Sequence, residues 1–184
     1  MKNTLVYASA MRCLKHFFLL PLLASCGHPK APVPDWAIEQ ESENADVKAC
    51  EAGDGAGCLA AGNRMFDFKL NGKDQGYGKI TKGTQNKEYG AVMYERGCEL
   101  GQMVACSKLG SVILNTGYYY RDLTVDEREA EAEPLFEKGC SAKHAPACRA
   151  LVELFRVQKK PDAVAAAKRR LCAINGEDYE CKER

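Results

Sequence analysis

The chain is poor in the residues that most chemistry needs. Of its 184 residues only three are histidine and one is tryptophan, and the formal net charge is +1. So few histidines exclude a histidine-built metal centre, and no cofactor is expected. Near neutrality leaves no electrostatic reason to bind nucleic acid. No Ser-x-x-Lys starts at Ser42, Ser107, Ser111 or Ser141, and no G-x-S-x-G elbow, HExxH or phosphate-binding glycine loop occurs. No stretch alternates apolar and polar residues as a half-buried strand does. The one dense apolar run, Phe17 to Leu23, is interrupted by Pro21 and is too short for a bilayer span of about 20 residues.

That run has a different meaning. It follows the basic, acid-free stretch Arg12 to His16 and precedes the small pair Ala24-Ser25, the order of a secretory signal peptide over residues 1–25. Met11 is an alternative start, because the ten residues before it add nothing to the signal. Leu23-Ala24-Ser25-Cys26 resembles a bacterial lipobox. The resemblance implies that Cys26 is lipidated and becomes the first residue of the mature protein, anchoring it to a membrane, with Gly27 resembling the outer-membrane pattern. Acyl chains contribute roughly 0.8 kcal/mol per buried methylene. Residues 26–35 are proline-rich and aperiodic, a semi-extended tether.

Against this background the ten cysteines stand out. Outside the signal, and with Cys26 set aside, they fall as Cys50/Cys58, Cys98/Cys106, Cys140/Cys148 and Cys172/Cys181, three separations of 8 and one of 9. In a continuous helix eight residues span about 12 Å, whereas disulfide-bonded alpha carbons lie roughly 4.4–6.8 Å apart. The chain must therefore reverse within each pair. A breaker lies in every interval: Gly53-Asp54-Gly55, Gly101, Ala145-Pro146 and Asn175-Gly176. Each pair reads as a disulfide across a helix–turn–helix junction in an oxidising compartment, in preference to a zinc site. The flanks repeat too, Tyr94-Glu95-Arg96-Gly97-Cys98 matching Phe136-Glu137-Lys138-Gly139-Cys140. First cysteines follow one another at 48, 42 and 32 residues, as in a helical repeat with insertions.

The apolar periodicity predicts helices over 36–52, 57–68, 87–100, 103–115, 126–140, 146–158 and 162–173. Pro134 predicts a kink or a late start in the fifth, and the tail from Glu177 a cap on the stack. Residues 70–86 read as an enlarged glycine-rich loop. Glu127, Glu129, Glu131 and Glu133, like Lys168-Arg169-Arg170, read as solvated helix faces. Tyr77 and the cluster Tyr118, Tyr119 and Tyr120 are the candidate binding-surface residues, and no catalytic residue is nominated.

The segment Ala91 to Gly110 (Ala-x-x-Tyr-x-x-Gly-Cys, seven residues, Cys-x-x-Leu-Gly) resembles the cysteine-rich Sel-1-like repeat, a relative of the tetratricopeptide repeat found in Hcp-type secreted bacterial proteins. Around Cys140 the pattern departs, with Glu133 in the small-residue position and Pro134 next. Before Cys172 the aromatic is replaced by Lys168. The resemblance implies an all-α class: an alpha-solenoid of disulfide-stapled repeats over 36–184 that binds an envelope protein partner on its surface. It also implies a second possibility, a β-lactam-binding protein or weak β-lactamase.

Overall fold

A computed structural model describes Val33 and residues 35–66, 82–116 and 123–182. Cys26 and its signal, Tyr77, and Tyr118, Tyr119 and Tyr120 lie outside these residues. Among the described residues the chain is all-helical, without strands: α1 (Asp35–Glu41), α2 (Ala45–Glu51), α3 (Gly55–Phe66), α4 (Lys82–Glu99), α5 (Met103–Thr116), α6 (Val125–Ser141), α7 (Ala145–Val157), α8 (Pro161–Ile174) and a 3-10 turn, Tyr179–Cys181.

Local chemistry sets most of these boundaries. The single helix expected over 36–52 is two helices. The Asn44 side chain accepts from the Asp46 amide, capping α2, while the Ser42 hydroxyl donates to the Glu39 carbonyl as α1 ends. Glu41 at the end of α1 is buried and paired with Arg64 of α3. The fourth helix begins five residues earlier than periodicity suggested, at Lys82. α6 opens with a capping box: the Glu127 amide donates to Thr124 Oγ1 at 3.3 Å, and the Thr124 amide donates to Glu127 Oε2 at 2.8 Å. From that start it runs unbroken through Pro134, so the start is not late. Pro134 removes a donor to the carbonyl of Ala130, an exposed residue. Pro161 opens α8.

The hairpins α2/α3, α4/α5 and α6/α7 are each closed by a disulfide: Cys50–Cys58, Cys98–Cys106 and Cys140–Cys148, with alpha carbons 4.4, 4.6 and 4.6 Å apart. A fourth, Cys172–Cys181, joins α8 to the 3-10 turn at 5.5 Å. Each short loop contributes on the order of 2.5 kcal/mol in the chain-entropy model.

The three reversals share one backbone device. The amides three and four residues beyond the first cysteine donate back to the last helical turn: Gly53 to Cys50 and Asp54 to Ala49, Gly101 to Cys98 and Gln102 to Gly97, Lys143 to Cys140 and His144 to Gly139. This is the Schellman pattern, which requires a left-handed residue. Gly53 (φ 94°) and Gly101 (φ 84°) supply it, and in the third hairpin Lys143 (φ 61°) does. The third break thus sits at Lys143. Ala145-Pro146, expected to make it, instead forms the first turn of α7.

Side-chain packing recurs in the same register. The residues before the two cysteines of a hairpin face each other, and one of each pair is glycine. A Cβ on Gly57 would lie 2.6 Å from the Ala49 Cβ, one on Gly97 3.0 Å from Ala105, and one on Gly139 2.8 Å from Ala147. Between hairpins, the glycine four residues after a second cysteine receives the aromatic ring four residues before the next first cysteine. Gly62 lies against Tyr94, and Gly110 against Phe136. At the corresponding third positions the residues are Val152, fully buried, and Lys168, so the glycine–aromatic pair is not repeated there. The apolar interior is accordingly divided into three local clusters. One is centred on α2–α4, one on α4 and α5, and one on α6–α8. Each successive pair from α2 to α8 packs together.

Candidate functional site

Each of α5, α6 and α7 turns one helical stripe toward a shared cleft of about 340 Å³. Ser111, Leu114 and Asn115 come from α5. Val125, Arg128 and Glu129 come from the first turns of α6, and Ala150, Glu153, Leu154 and Val157 from α7. The floor is Phe136, whose ring is already locked against Gly110. The cleft therefore stands on a packed joint. Its mouth is apolar and open, Val125 being 58% and Val157 67% exposed. Val125 and Val157 thus place two exposed aliphatic side chains beside the concavity.

The polar groups around it are unevenly satisfied. Arg128 Nη1 donates to the Leu114 carbonyl at 3.4 Å, while its Nε is buried without a partner among the described residues. Glu153 Oε1 accepts from Arg156 Nη1 at 2.7 Å and from the Tyr179 hydroxyl at 3.4 Å. Over its length α6 has six acids against two bases. Glu127 is used by its cap, Glu133 lies 3.5 Å from Lys160, and Glu137 accepts from Arg170 at 2.7 Å. Glu129 lines the cleft.

The C-terminal turn braces the far wall. Arg149 Nε donates to Asp178 Oδ2 at 3.1 Å, Nη2 pairs with the same oxygen, and the guanidinium lies 5.6 Å from the Tyr179 ring centroid. That hydrogen-bonded guanidinium holds the Asp178 carboxyl below the ordinary aspartate value. Arg156 Nη2 donates to Glu180 Oε2 at 2.9 Å.

A second, more open depression lies between α6 and α8, lined by Glu137, Ser141, Lys143 and Arg170. Here Arg170 leaves the solvated face expected for Lys168-Arg169-Arg170 and donates from Nη2 to Ser141 Oγ at 3.1 Å. A guanidinium cannot accept the serine proton, so this contact does not make Ser141 a nucleophile. The Ser42 and Ser111 hydroxyls donate to helix carbonyls.

His144 occupies the position before α7 that Asp54 occupies before α3. Asp54 Oδ1 accepts from the Ala56 amide at 2.9 Å. The equivalent residue after His144 is Pro146, which has no N–H, and His144 Nδ1 is buried without a hydrogen-bond partner among the described residues. Burial, and then Lys108, push its pKa below the ordinary histidine value.

All four cysteine pairs read from the spacing are disulfides. Tyr77, Tyr118, Tyr119 and Tyr120 lie outside the described residues, as does Cys26. Sequence reasoning missed the cleft. Its only trace there was the i, i+3, i+4 stripe Val125, Arg128, Glu129, hidden in a run of acids. Among the described residues no three His, Cys, Asp or Glu side chains converge as metal ligands would, and no helix is long and apolar enough to cross a membrane. Compared with protein-family models, curated proteins and solved structures, the chain matches none.

Proposed function

We propose that this chain is an envelope lipoprotein, anchored through Cys26, in which stapled hairpins of the Sel-1-like kind stack as an alpha-solenoid and serve as a protein-interaction scaffold. The observation that carries this reading is the recurrence of one joint, Gly62 against Tyr94 and Gly110 against Phe136, between hairpins closed by cysteines at equal separation. A unit that buries its apolar face only against its neighbour builds a regular surface rather than an enclosed pocket. The staples keep that surface formed in an oxidising compartment with a small core.

The partner segment is one that places an apolar side chain against Val125, Leu154 and Val157 and a cation beside Glu129, matching the acidic excess of α6. The test is a photo-crosslinking amino acid at Val157, with Ile38 on α1 as control, in the full chain expressed with its own N-terminus. One envelope protein captured at Val157 and not at Ile38, with loss of capture on Glu129→Lys, is the expected result. Equal capture at both positions, or capture indifferent to Glu129→Lys, refutes the cleft as the interface.

A further inference from the structure

Four disulfides of nearly equal spacing are not equal in their surroundings. Cys50, Cys58 and Cys106 are fully buried, as is Cys148, while Cys140 is 2% and Cys98 8% exposed. Near-complete burial leaves these six residues little solvent contact, although Cys140 borders the depression between α6 and α8. Cys172 and Cys181 alone are both partly exposed. Their partner element is a single 3-10 turn packed on α8, and that turn is otherwise held to α7 by side chains alone: Asp178 by Arg149, Glu180 by Arg156 and the Tyr179 hydroxyl by Glu153.

Thiol–disulfide exchange needs in-line access of a thiolate to one sulfur, so burial of the other three pairs closes them to it while the fold persists. We infer that Cys172–Cys181 is a site of thiol–disulfide exchange with an external dithiol, and that its reduction frees residues 177–182 from α7. A dithiol thiolate attacks one of the two sulfurs, forming a mixed disulfide and expelling the other as a thiolate that takes a proton from solvent. The second thiol of the dithiol then attacks the mixed disulfide. The dithiol leaves oxidised, and Cys172 and Cys181 are left as two thiols, having gained two electrons and two protons. Glu153 and Arg156 lose Tyr179 and Glu180 in the released state. Because Glu153 also lines the cleft, the exchange removes the Tyr179 hydroxyl from a carboxylate on its wall. The exchange chemistry itself does not depend on what the cleft binds.

The test uses the oxidised full chain. Thiols already free are blocked, dithiothreitol is added in graded amounts without denaturant, and samples are quenched with N-ethylmaleimide for intact-mass and peptide analysis. The expected result is a species with two new maleimides, on Cys172 and Cys181, at least about tenfold more abundant than any other partly reduced form. Direct passage to the fully reduced chain, or a two-maleimide species at another pair, overturns the assignment. Release of the tail is read separately. A glutamate-specific protease should cut the two-maleimide species at Glu177 or Glu180 at least about tenfold faster than the oxidised chain. Equal rates show that the turn stays docked and overturn that half of the inference.

Discussion

Exchanging the glycine and the alanine that face each other in the third hairpin tests the packing logic most sharply. Gly139 and Ala147 meet just ahead of Cys140 and Cys148, and a Cβ added at Gly139 would lie 2.8 Å from the Ala147 Cβ, well inside contact distance. Its next neighbours, the Met103 carbonyl oxygen and the Ser107 Cβ, are both at 3.4 Å, an ordinary contact. Gly139→Ala gains about 0.5–1 kcal/mol from helix propensity but overpacks at a cost of about 1–3 kcal/mol, for an expected net loss of about 1–2 kcal/mol. Ala147→Gly alone removes a fully buried methyl and adds helix-interior glycine, an expected loss of about 1.5–2 kcal/mol. The double exchange reproduces the order of the first hairpin, where Ala49 faces Gly57, and is expected within about 0.5 kcal/mol of the parent, a strong favourable coupling.

The same exchange in the second hairpin is expected to fail, because a Cβ at Gly97 also meets the Cys58 Cβ of the preceding hairpin at 3.1 Å. Urea midpoints of the oxidised proteins, compared at unchanged slope, measure all of these. If Gly139→Ala alone is as stable as the parent, or the third-hairpin exchange is no better than its singles, the facing-pair account is wrong.

Three further outcomes follow from the geometry. Lys143 holds φ 61° where the other two hairpins place glycine, so Lys143→Gly should stabilise by up to about 1 kcal/mol, whereas Gly101→Ala should destabilise by a similar amount, both read from thermal midpoints. Gly110→Ala drives a methyl to 3.0 Å from the Phe136 ring and should lose about 1–3 kcal/mol in the same urea assay, part of it restored by Phe136→Leu. His144 titrates below the unfolded value of 6.5. As pH falls through 6.5 the unfolded chain takes up the proton first, so stability declines until the folded pKa is passed. His144→Gln should flatten the decline in urea midpoint between pH 7.5 and 5.5, and an unchanged slope would assign that decline to other groups.

The cysteine ruler made the hairpins legible because a covalent length constrains the chain wherever it occurs. A separation of 8 or 9 between bonded cysteines leaves no geometry but reversal, whatever surrounds them. Helix class was legible for a related reason, since periodicity records which face must be buried. Boundaries were less so. The break between α1 and α2 falls in Ser42-Glu43-Asn44, where Glu43 is a good helix former, and it depends on the Asn44 cap and on Glu41 turning to Arg64, a partner 23 residues away. Lys143 as the left-handed residue was hidden because Pro146, three residues further on, carries the stronger local signal, although its fixed φ suits a helix start as well as a break.

From the sequence alone came the all-helical class, the four covalent pairings and the reversals they impose, because each rests on chain-local geometry. Tertiary structure decided which glycine meets which ring, which serine is held by an arginine, which staple stays open to solvent, and that Val125, Leu154 and Val157 share one cleft. Those depend on how separate helices are placed against one another, and that placement is settled by side-chain volume at a few joints rather than by any local pattern.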